Sequence, residues 1–239
     1  MSKVCVCPHY FVVDDAGELC LRPGSMGLRQ MLVYDNVGTF QFKKADYPWL
    51  ARIRVQVQGA GGGSAGADAA AGQCIVRPGA TGGGWSMSVI EVSALGAVET
   101  IVVGAPGTGG VGNQTGGEGG NSSFGGFLLA PGGAGGTAVM GTGTSMEATS
   151  GVVGPTGGTG QMTSGGGNSG GAIRMSGTQA LAGAGGDSQL GLGGTPRASE
   201  GGGTAPRGRG GGAGGALSFG HPVNGADGGA GLVIVELYG

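Results

Sequence analysis

The stretch Ala51-Arg52-Ile53-Arg54-Val55-Gln56-Val57-Gln58-Gly59-Ala60-Gly61-Gly62-Gly63 contains the change that decides the fold. Up to Gln58, apolar and polar residues alternate, which predicts a β-strand with one face toward a core and the other toward water. From Gly59 onward glycine dominates and the alternation stops. We therefore expect a β body with ordinary side chains before this boundary and a different kind of structure after it.

The composition is dominated by glycine, which supplies 64 of the 239 residues, while the first 58 residues contain only four glycines. Charged residues make up 11 % of the chain and aromatic residues 5 %. Glycine adds no side chain to a core and loses the most backbone entropy on folding, so the composition excludes most ordinary enzyme folds. A disordered chain is also a poor match, because disorder favours high charge and low hydrophobicity and the mean hydropathy here is +0.13.

Several arrangements can hold a chain segment that is about one-third glycine. Collagen requires a strict Gly-X-Y repeat and abundant proline, and runs such as Gly165-Gly166-Gly167 break that repeat. Extended, polyproline-II-like segments packed side by side suit the many Gly-Gly pairs, since chains without Cβ atoms can approach closely and exchange hydrogen bonds. Compact irregular loops and true disorder are the alternatives. We favour the packed extended segments, because they satisfy backbone polar groups without a hydrophobic core.

Further strands are predicted where β-branched and aromatic residues cluster. They are Tyr10–Val13, Glu18–Leu21, Leu28–Tyr34, Gly38–Phe42, Trp85–Val92, Val98–Val103, Ser123–Leu129 and Leu232–Tyr238. Residues 14–17 favour a hairpin turn between the first two, Pro23-Gly24 marks another turn, and only Ala65–Ala71 could form a helical turn. We predict an all-β fold with an N-terminal attachment region over residues 1–37 and a glycine-rich β domain over residues 38–239.

The sequence gives no support for catalysis or for a cofactor. The segment 59–64 is close to a dinucleotide-binding fingerprint, but that fold also needs an amphipathic helix afterwards, and none follows. His9 and His221 are the only histidines, and neither lies in a recognisable catalytic triad context. The spacing of Cys5, Cys7 and His9 with Cys20 matches no zinc pattern, so free thiols in a packed N-terminal hairpin are the simpler interpretation, with a disulfide that involves Cys20 as the alternative. We expect no enzyme activity, no cofactor and no metal.

Charge and hydropathy also limit the partners. A net charge of −2 without a run of Lys or Arg argues against a nucleic-acid surface. No stretch approaches the roughly 18 apolar residues that a membrane helix needs. Polar residues interrupt any signal-peptide core near the N-terminus, so we expect synthesis in the cytoplasm without a signal peptide.

Binding residues are expected on exposed turns that join the glycine runs. For each polar candidate taken alone, a solvated surface residue without a binding role is the simpler interpretation. The candidates for contact with a receptor are Asn113, Gln114, Thr115, Glu118, Asn121, Gln161, Asn168, Arg174, Gln179, Arg207, Arg209 and His221.

An ordered succession of short motifs resembles a known family. The motifs are Gly38-Thr39-Phe40-Gln41-Phe42, then residues 51–63, Gly82-Gly83-Gly84-Trp85-Ser86, Val98–Ala105, Asn121–Gly125, Ala130-Pro131-Gly132-Gly133 and Gly231–Tyr238. Their order over residues 38–239 is similar to glycine-rich domains in tail-fibre and minor tail proteins of phages and prophage-like particles, particularly those of actinobacteria.

The resemblance implies a virion fibre or tip protein that touches the host surface. Its partners would be other tail or baseplate proteins, through the N-terminal region, and a bacterial cell-surface glycan or protein. We also expect a homotrimer, because a chain with so thin a core gains stability from burial against its own copies. A structural minor tail component without receptor contact, or a self-assembling extracellular matrix protein, is the alternative function.

Overall fold

A computed structural model describes residues 8–22 and 26–239, and the regular secondary structure in it is almost entirely β-strand. The longer strands are β1 (Phe11–Val13), β2 (Leu19–Leu21), β3 (Leu28–Tyr34), β4 (Gly38–Lys43), β5 (Arg52–Gln58), β7 (Trp85–Glu91), β8 (Val98–Val103), β9 (Ser122–Phe124), β10 (Leu128–Ala130), β11 (Glu147–Thr149), β12 (Met162–Ser164), β13 (Ala172–Arg174) and β18 (Leu232–Tyr238). The two-residue strands are β6 (Ile75–Val76), β14 (Ala180–Leu181), β15 (Gly191–Leu192), β16 (Arg207–Gly208) and β17 (Leu217–Ser218). Short 3-10 turns cover Lys44–Asp46 and Val92–Ala94. The prediction of an all-β fold is confirmed.

Two antiparallel sheets form a sandwich at one end of the molecule. One sheet has the strand order β12-β7-β5-β18-β3, and the other has the order β10-β9-β8-β4. The predicted alternation in β5 is confirmed, because Ile53, Val55 and Val57 are fully buried between the sheets. Aromatic and aliphatic side chains of the second sheet, among them Phe42 and Phe124, complete this core. The sandwich therefore carries most of the ordinary hydrophobic packing in the chain.

Beyond the sandwich, the chain runs back and forth in extended segments, which we call passes. The passes cover residues 59–68, 77–84, 104–112, 113–121, 131–140, 150–158, 165–171, 182–188, 193–197, 201–206, 209–216 and 223–231. Their hydrogen-bond partners show that the chain reverses direction at each connection, so alternate passes run away from the sandwich and back toward it. Pass 59–68 continues directly from β5, and pass 223–231 leads directly into β18.

Hydrogen bonds from pass 59–68 rotate among three neighbouring passes. Its backbone N–H donors and their carbonyl acceptors are Gly59 to Gly84, Gly62 to Thr81, Ala60 to Gly120, Gly63 to Gly117, Gly66 to Gln114, Gly61 to Gly229, Ser64 to Ala226 and Ala67 to Val223, over 2.8–3.1 Å. Every third residue therefore serves the same neighbour. A repeat of three residues is that of the polyproline-II helix, in which the backbone has no internal hydrogen bonds.

The same pass accepts hydrogen bonds from three further passes, which run parallel to it. The donors are Gly107 and Gly110 in pass 104–112, Gly133 and Gly136 in pass 131–140, and Ala213 in pass 209–216. Pass 59–68 is thus surrounded on all sides by backbone. We call the whole set of passes the glycine lattice.

Pass 77–84 repeats the pattern, since Gly79 and Gly82 both donate to pass 165–171, while Ala80 and Gly83 donate to pass 209–216. The predicted packing of extended segments is confirmed.

Glycine is required in the lattice because neighbouring passes approach too closely for side chains. A Cβ atom at Gly62 would lie 2.1 Å from the carbonyl oxygen of Ala134, and one at Gly61 would lie 1.9 Å from that of Gly211. Real Cβ atoms essentially never come within 3.0 Å of a heavy atom outside their own residue and its chain neighbours. The glycine content of this region is therefore a packing requirement imposed by backbone contacts.

Two local predictions were wrong. Residues 65–71 do not form a helical turn, because Gly66 and Ala67 are held in the lattice by hydrogen bonds to Gln114 and Val223. The segment Ser123–Leu129 is not a single strand. It forms the hairpin β9–β10, in which Gly125 adopts a φ of +51° that favours glycine.

The N-terminal hairpin β1–β2 forms as predicted around residues 14–17. The side-chain oxygen of Asp14 accepts hydrogen bonds from the backbone N–H groups of Ala16 and Glu18 and fixes this turn. The predicted turn at Pro23-Gly24 lies outside the described residues. The division at residue 37 stays a prediction, although β3, on its N-terminal side, pairs with β18 as an edge strand of the main sheet.

Candidate functional site at the distal end of the lattice

The end of the glycine lattice opposite the sandwich, which we call the distal end, consists of loops. These loops join passes that arrive from and return to the sandwich, and they cover residues 69–76, 112–114, 141–149, 172–181, 198–200 and 217–222. Loops on a rigid scaffold are the usual place for binding residues. The distal end is therefore the first candidate for a functional site.

A second, smaller hydrophobic core supports the distal loops. Cys74, Val76, Met140 and Leu217 are buried together with alanines of the neighbouring strands, and Phe219 packs against them. Burial raises the pKa of the Cys74 thiol, so this group stays protonated and apolar at neutral pH. The molecule thus has one core at each end and a backbone-bonded lattice between them.

Arg77 joins three parts of the distal end through its guanidinium group. Its side chain is 1 % exposed, and it donates hydrogen bonds to the carbonyl oxygens of Gly66 and Met140 and to the side-chain oxygen of Asn113, all over 2.8 Å. Burial lowers the pKa of Arg77 to about 10, which leaves the group charged at neutral pH. The role of this residue could not be predicted from the sequence, because a single Arg before a proline carries no pattern.

Arg174, the last residue of β13, has a similar role. It holds the loop 141–149, which follows pass 131–140. Its guanidinium donates to the carbonyl oxygens of Ser145, Cys74 and Gly141 over 2.6–2.8 Å, and it also forms an ion pair with Glu147. Its side chain is 4 % exposed. The expectation that Arg174 lies on an exposed turn is wrong, because the loop carbonyls enclose it. Arg174 shapes the distal surface from beneath.

An acidic side chain anchors the loop 217–222. Glu200 accepts hydrogen bonds from the backbone N–H groups of Phe219, over 2.6 Å, and His221, and its other oxygen lies 3.1 Å from Nδ1 of His221. The Phe219 N–H, with smaller contributions from the side chain and charge of His221, holds the pKa of Glu200 below its usual range. The imidazole of His221 is 80 % exposed and remains accessible at the surface.

Large apolar side chains project into solvent from the distal loops and from the passes beside them. Val139 and Met146 are 70 % and 75 % exposed, and Val111, Met175 and Leu181 are also exposed. Both Trp residues and all four Tyr residues, by contrast, lie in the hairpin or the sandwich or beside them: Tyr10, Tyr34, Tyr47, Trp49, Trp85 and Tyr238. The exposed apolar side chains of the distal surface are therefore aliphatic or methionine, and they lie among polar groups such as Asn113, Gln114 and His221.

The structure places the predicted binding residues in three different regions. Asn113, Gln114, Thr115, Gln179 and His221 are exposed at the distal end. Glu118 and Asn168 are exposed along the sides of the lattice, and Asn168 accepts a hydrogen bond from the backbone of Gly154. Asn121, Gln161, Arg207 and Arg209 lie at the end next to the sandwich. The candidates thus do not form one site.

Several of the polar candidates also have structural partners. Asn121 accepts a hydrogen bond from the N–H of Gly132. The amide of Gln161 exchanges two hydrogen bonds with the backbone of Val89, as a strand residue would. Arg209 pairs with Asp35 and donates to its carbonyl oxygen. Arg207 is exposed and has no such contact with the described residues.

A cleft of about 440 Å³ lies beside β7 on the sandwich. Val89, Ile90, Phe127 and Gln161 line it, with Glu91 as its acidic group. Of the predicted residues, only Gln161 reaches this cleft, and its amide is already bonded to Val89. The cleft therefore offers few free polar groups for specific recognition.

In residues 8–22 and 26–239, no group of three His, Cys, Asp or Glu side chains is arranged to hold a metal ion. Cys5 and Cys7 of the N-terminal motif lie outside these ranges, and Cys20 is a free thiol. Over the same part of the chain, none of the helical segments has the length and apolar character needed to span a bilayer.

The fold and the distal end define an all-β protein whose glycine lattice presents loops at one end. Comparison with family models matches the Glycine-rich domain family over residues 36–238, and the chain belongs to that family. No curated protein matches the sequence significantly.

Proposed function

We propose that the protein is a fibre or tip protein of a phage or phage-tail-like particle, and that its distal end binds the surface of the host cell. In this proposal its role is binding, without catalysis and without a cofactor. The observation that carries the proposal is the exposure of large apolar side chains on loops that two buried arginines hold in place. A contiguous patch of exposed apolar groups is typical of an interaction site.

The arrangement of the two ends of the molecule agrees with this role. The N-terminal hairpin and the sandwich lie at one end, and the distal loops lie at the other, separated by the length of the lattice. At a rise of about 3.1 Å per residue, the ten residues of pass 59–68 extend about 30 Å. We infer that the N-terminal region attaches to other tail or baseplate proteins in a virion, that the protein is a homotrimer, and that the distal loops face outward.

The host ligand in this proposal is a cell-surface glycan or protein, and the chemistry of the distal end favours a protein. Methionine adapts its shape to a partner and is enriched in protein interfaces. Flat aromatic rings, the side chains that offer broad apolar faces to a ligand, are confined to the other end of the molecule apart from Phe219, which is partly buried. The exposed Met146 and Val139 are the residues on which we expect the contact to centre.

Adsorption of the purified, fluorescently labelled protein to intact actinobacterial cells tests the proposal. We expect one or more strains of a panel to retain the protein, and the double variant Val139→Asp, Met146→Asp to bind at least about tenfold more weakly. Leu192→Asp is the matched control, because Leu192 is also exposed but lies at the sandwich end. Equal binding of the distal variant, or no binding to any strain, contradicts the proposal and supports a structural tail component or a matrix protein. Protease treatment of the cells should abolish binding if the ligand is a protein.

A further inference from the structure

The outer face of the five-stranded sheet carries a row that is apolar except for Gln56 at its centre, half-buried in the middle and exposed at both ends. Register neighbours on consecutive strands place Met162, Met87, Gln56, Ile234 and Val33 side by side across the whole sheet. The adjacent residues along each strand, among them Val57 and Val233, face the core of the sandwich. An antiparallel sheet with a solvated face normally has polar residues there, so this row is unusual.

The exposure of the row is substantial at both edges of the sheet. Val33 and Met162 are 53 % and 56 % exposed. A second row lies two residues further along the strands, on the same outer face. In it the exposed Met31 and Val89 flank the ion pair between Arg54 and Glu236. We call these residues of the outer face, from β3 to β12, the sheet patch.

The N-terminal hairpin has an uncovered apolar face of its own. The pairs Phe11–Leu21 and Val13–Leu19 lie on one face, and Val12 and Cys20 lie on the other. Val13, Leu19 and Leu21 of the first face are all exposed. An isolated two-stranded hairpin is marginally stable in water, and packing of its apolar face against another surface is what stabilises such an element.

Charge complementarity connects the two surfaces. The hairpin turn carries Asp15 and Glu18, which form no ion pair with any described residue. At the end of the sheet patch, Arg52 lies over the ring of Tyr238 and also has no ion-pair partner in the described part of the chain. With the hairpin face on the apolar row, the acidic turn can reach this arginine.

We propose that the apolar face of the β1–β2 hairpin of one copy docks on the sheet patch of a second copy of this chain. The two surfaces are different, so the contact is heterologous: each copy gives its hairpin to the next and receives one from the previous copy. Such contacts close into a ring when the rotation between copies allows it. The ring would be the interface of the homotrimer in the proposed function, but its test involves no host cells, so either can fail without the other.

Crosslinking between single-cysteine variants tests the contact. The parent carries Cys5→Ser, Cys7→Ser and Cys20→Ser, which leaves only the buried Cys74. Copies with Leu19→Cys are mixed with copies with Val33→Cys and treated with a short bismaleimide. We expect covalent dimers from this mixture, and few from a mixture of Val12→Cys with Val33→Cys, because Val12 is on the opposite face of the hairpin. Equal yields contradict the proposal.

Sedimentation velocity provides the second test. We expect the unmodified chain to be oligomeric at micromolar concentration, and Leu19→Asp to raise the concentration at which it dissociates by about tenfold or more. Val12→Asp is the matched control, and it should leave the assembly unchanged. A monomeric unmodified chain overturns the proposal. So does a monomer with an internal crosslink when Leu19→Cys and Val33→Cys are in the same chain, since the hairpin would then cover its own sheet.

Discussion

The buried guanidinium of Arg77 donates a hydrogen bond over 2.8 Å to the side-chain oxygen of Asn113, which also accepts one from the backbone N–H of Asp68. This contact ties an exposed distal loop to the interior of the lattice. Through Arg77 the same loop is connected to the carbonyl oxygens of Gly66 and Met140. The conformation of the distal surface therefore depends on a residue that no ligand could touch.

Replacement of Arg77 is expected to destabilise the protein. Arg77→Met retains the apolar stem but leaves the carbonyl oxygens of Gly66 and Met140 without their partner, at a cost of about 3 kcal/mol in the free energy of unfolding. Urea denaturation measures this change. Arg207→Met is the control, because Arg207 is exposed, and it should change the free energy by less than about 0.5 kcal/mol. Equal effects of the two substitutions would show that the buried hydrogen bonds contribute little.

Substitution of a lattice glycine is expected to disrupt the packing of passes. In Gly62→Ala, the new Cβ would lie 2.1 Å from the carbonyl oxygen of Ala134, so a pass must shift. We expect a loss of at least about 2 kcal/mol in the free energy of unfolding. Gly141→Ala is the control, since nothing lies within 4 Å of a Cβ there, and it should be neutral or slightly stabilising. Tolerance of Gly62→Ala would contradict the close approach of the two backbones.

The anchor of loop 217–222 should depend on pH through Glu200. Its pKa is depressed in the folded state, chiefly by the N–H of Phe219, so its stabilising effect is present above the unfolded pKa and is lost as the pH falls through the folded pKa. We expect Glu200→Gln to lower the free energy of unfolding near pH 7 and to have little effect once the pH is well below about 4. Chemical denaturation across this range measures the difference. A difference that stays constant with pH would exclude the carboxylate charge as its cause.

The reactivity of Cys74 should report on the small distal core. In a variant with Cys5→Ser and Cys7→Ser, we expect Cys20 to react with a thiol reagent in the native protein and Cys74 to stay protected. The pKa of both thiols is raised, so access to the reagent decides which one reacts: Cys74 is fully buried, whereas Cys20 is partly exposed. Both thiols should react when the protein is unfolded, which serves as the control. Rapid native labelling of Cys74 would indicate that the distal core opens frequently.

Most strands of the sandwich were predicted from the sequence, because their side chains alternate, whereas the packing of two sheets was not. β5 shows this most clearly, with Ile53, Val55 and Val57 on the core face. The identity of neighbouring passes could not be predicted, since glycine gives no pattern that distinguishes one pass from another. The composition indicated only that such packing was favourable. The neighbours of each pass became known from the hydrogen bonds in the structure, such as those of Gly61 and Gly62.

The distal end was predicted less completely. Asn113 and His221 were identified as polar residues on turns, and the structure places both at the distal end. Arg174 was predicted to be an exposed contact residue, but the carbonyl oxygens of Cys74 and Ser145 enclose its guanidinium. Both residues are far from it along the chain, so this burial could not be predicted from the sequence. Val139 and Met146 were missed, since an isolated apolar residue in a glycine-rich segment looks the same in sequence whether it is buried or exposed.

The three-residue repeat of the lattice restricts how the length of such a protein can change. A pass that gains three residues keeps every later donor directed at its original neighbour and moves the distal end outward by about 9 Å. A gain of one or two residues would turn each later N–H toward the wrong pass. Insertions and deletions in the lattice are therefore tolerated only in triplets that the surrounding passes match, whereas the loops at its end are free of this rule. The distance between the sandwich and the distal loops can change only in discrete steps, while the distal surface can vary one residue at a time.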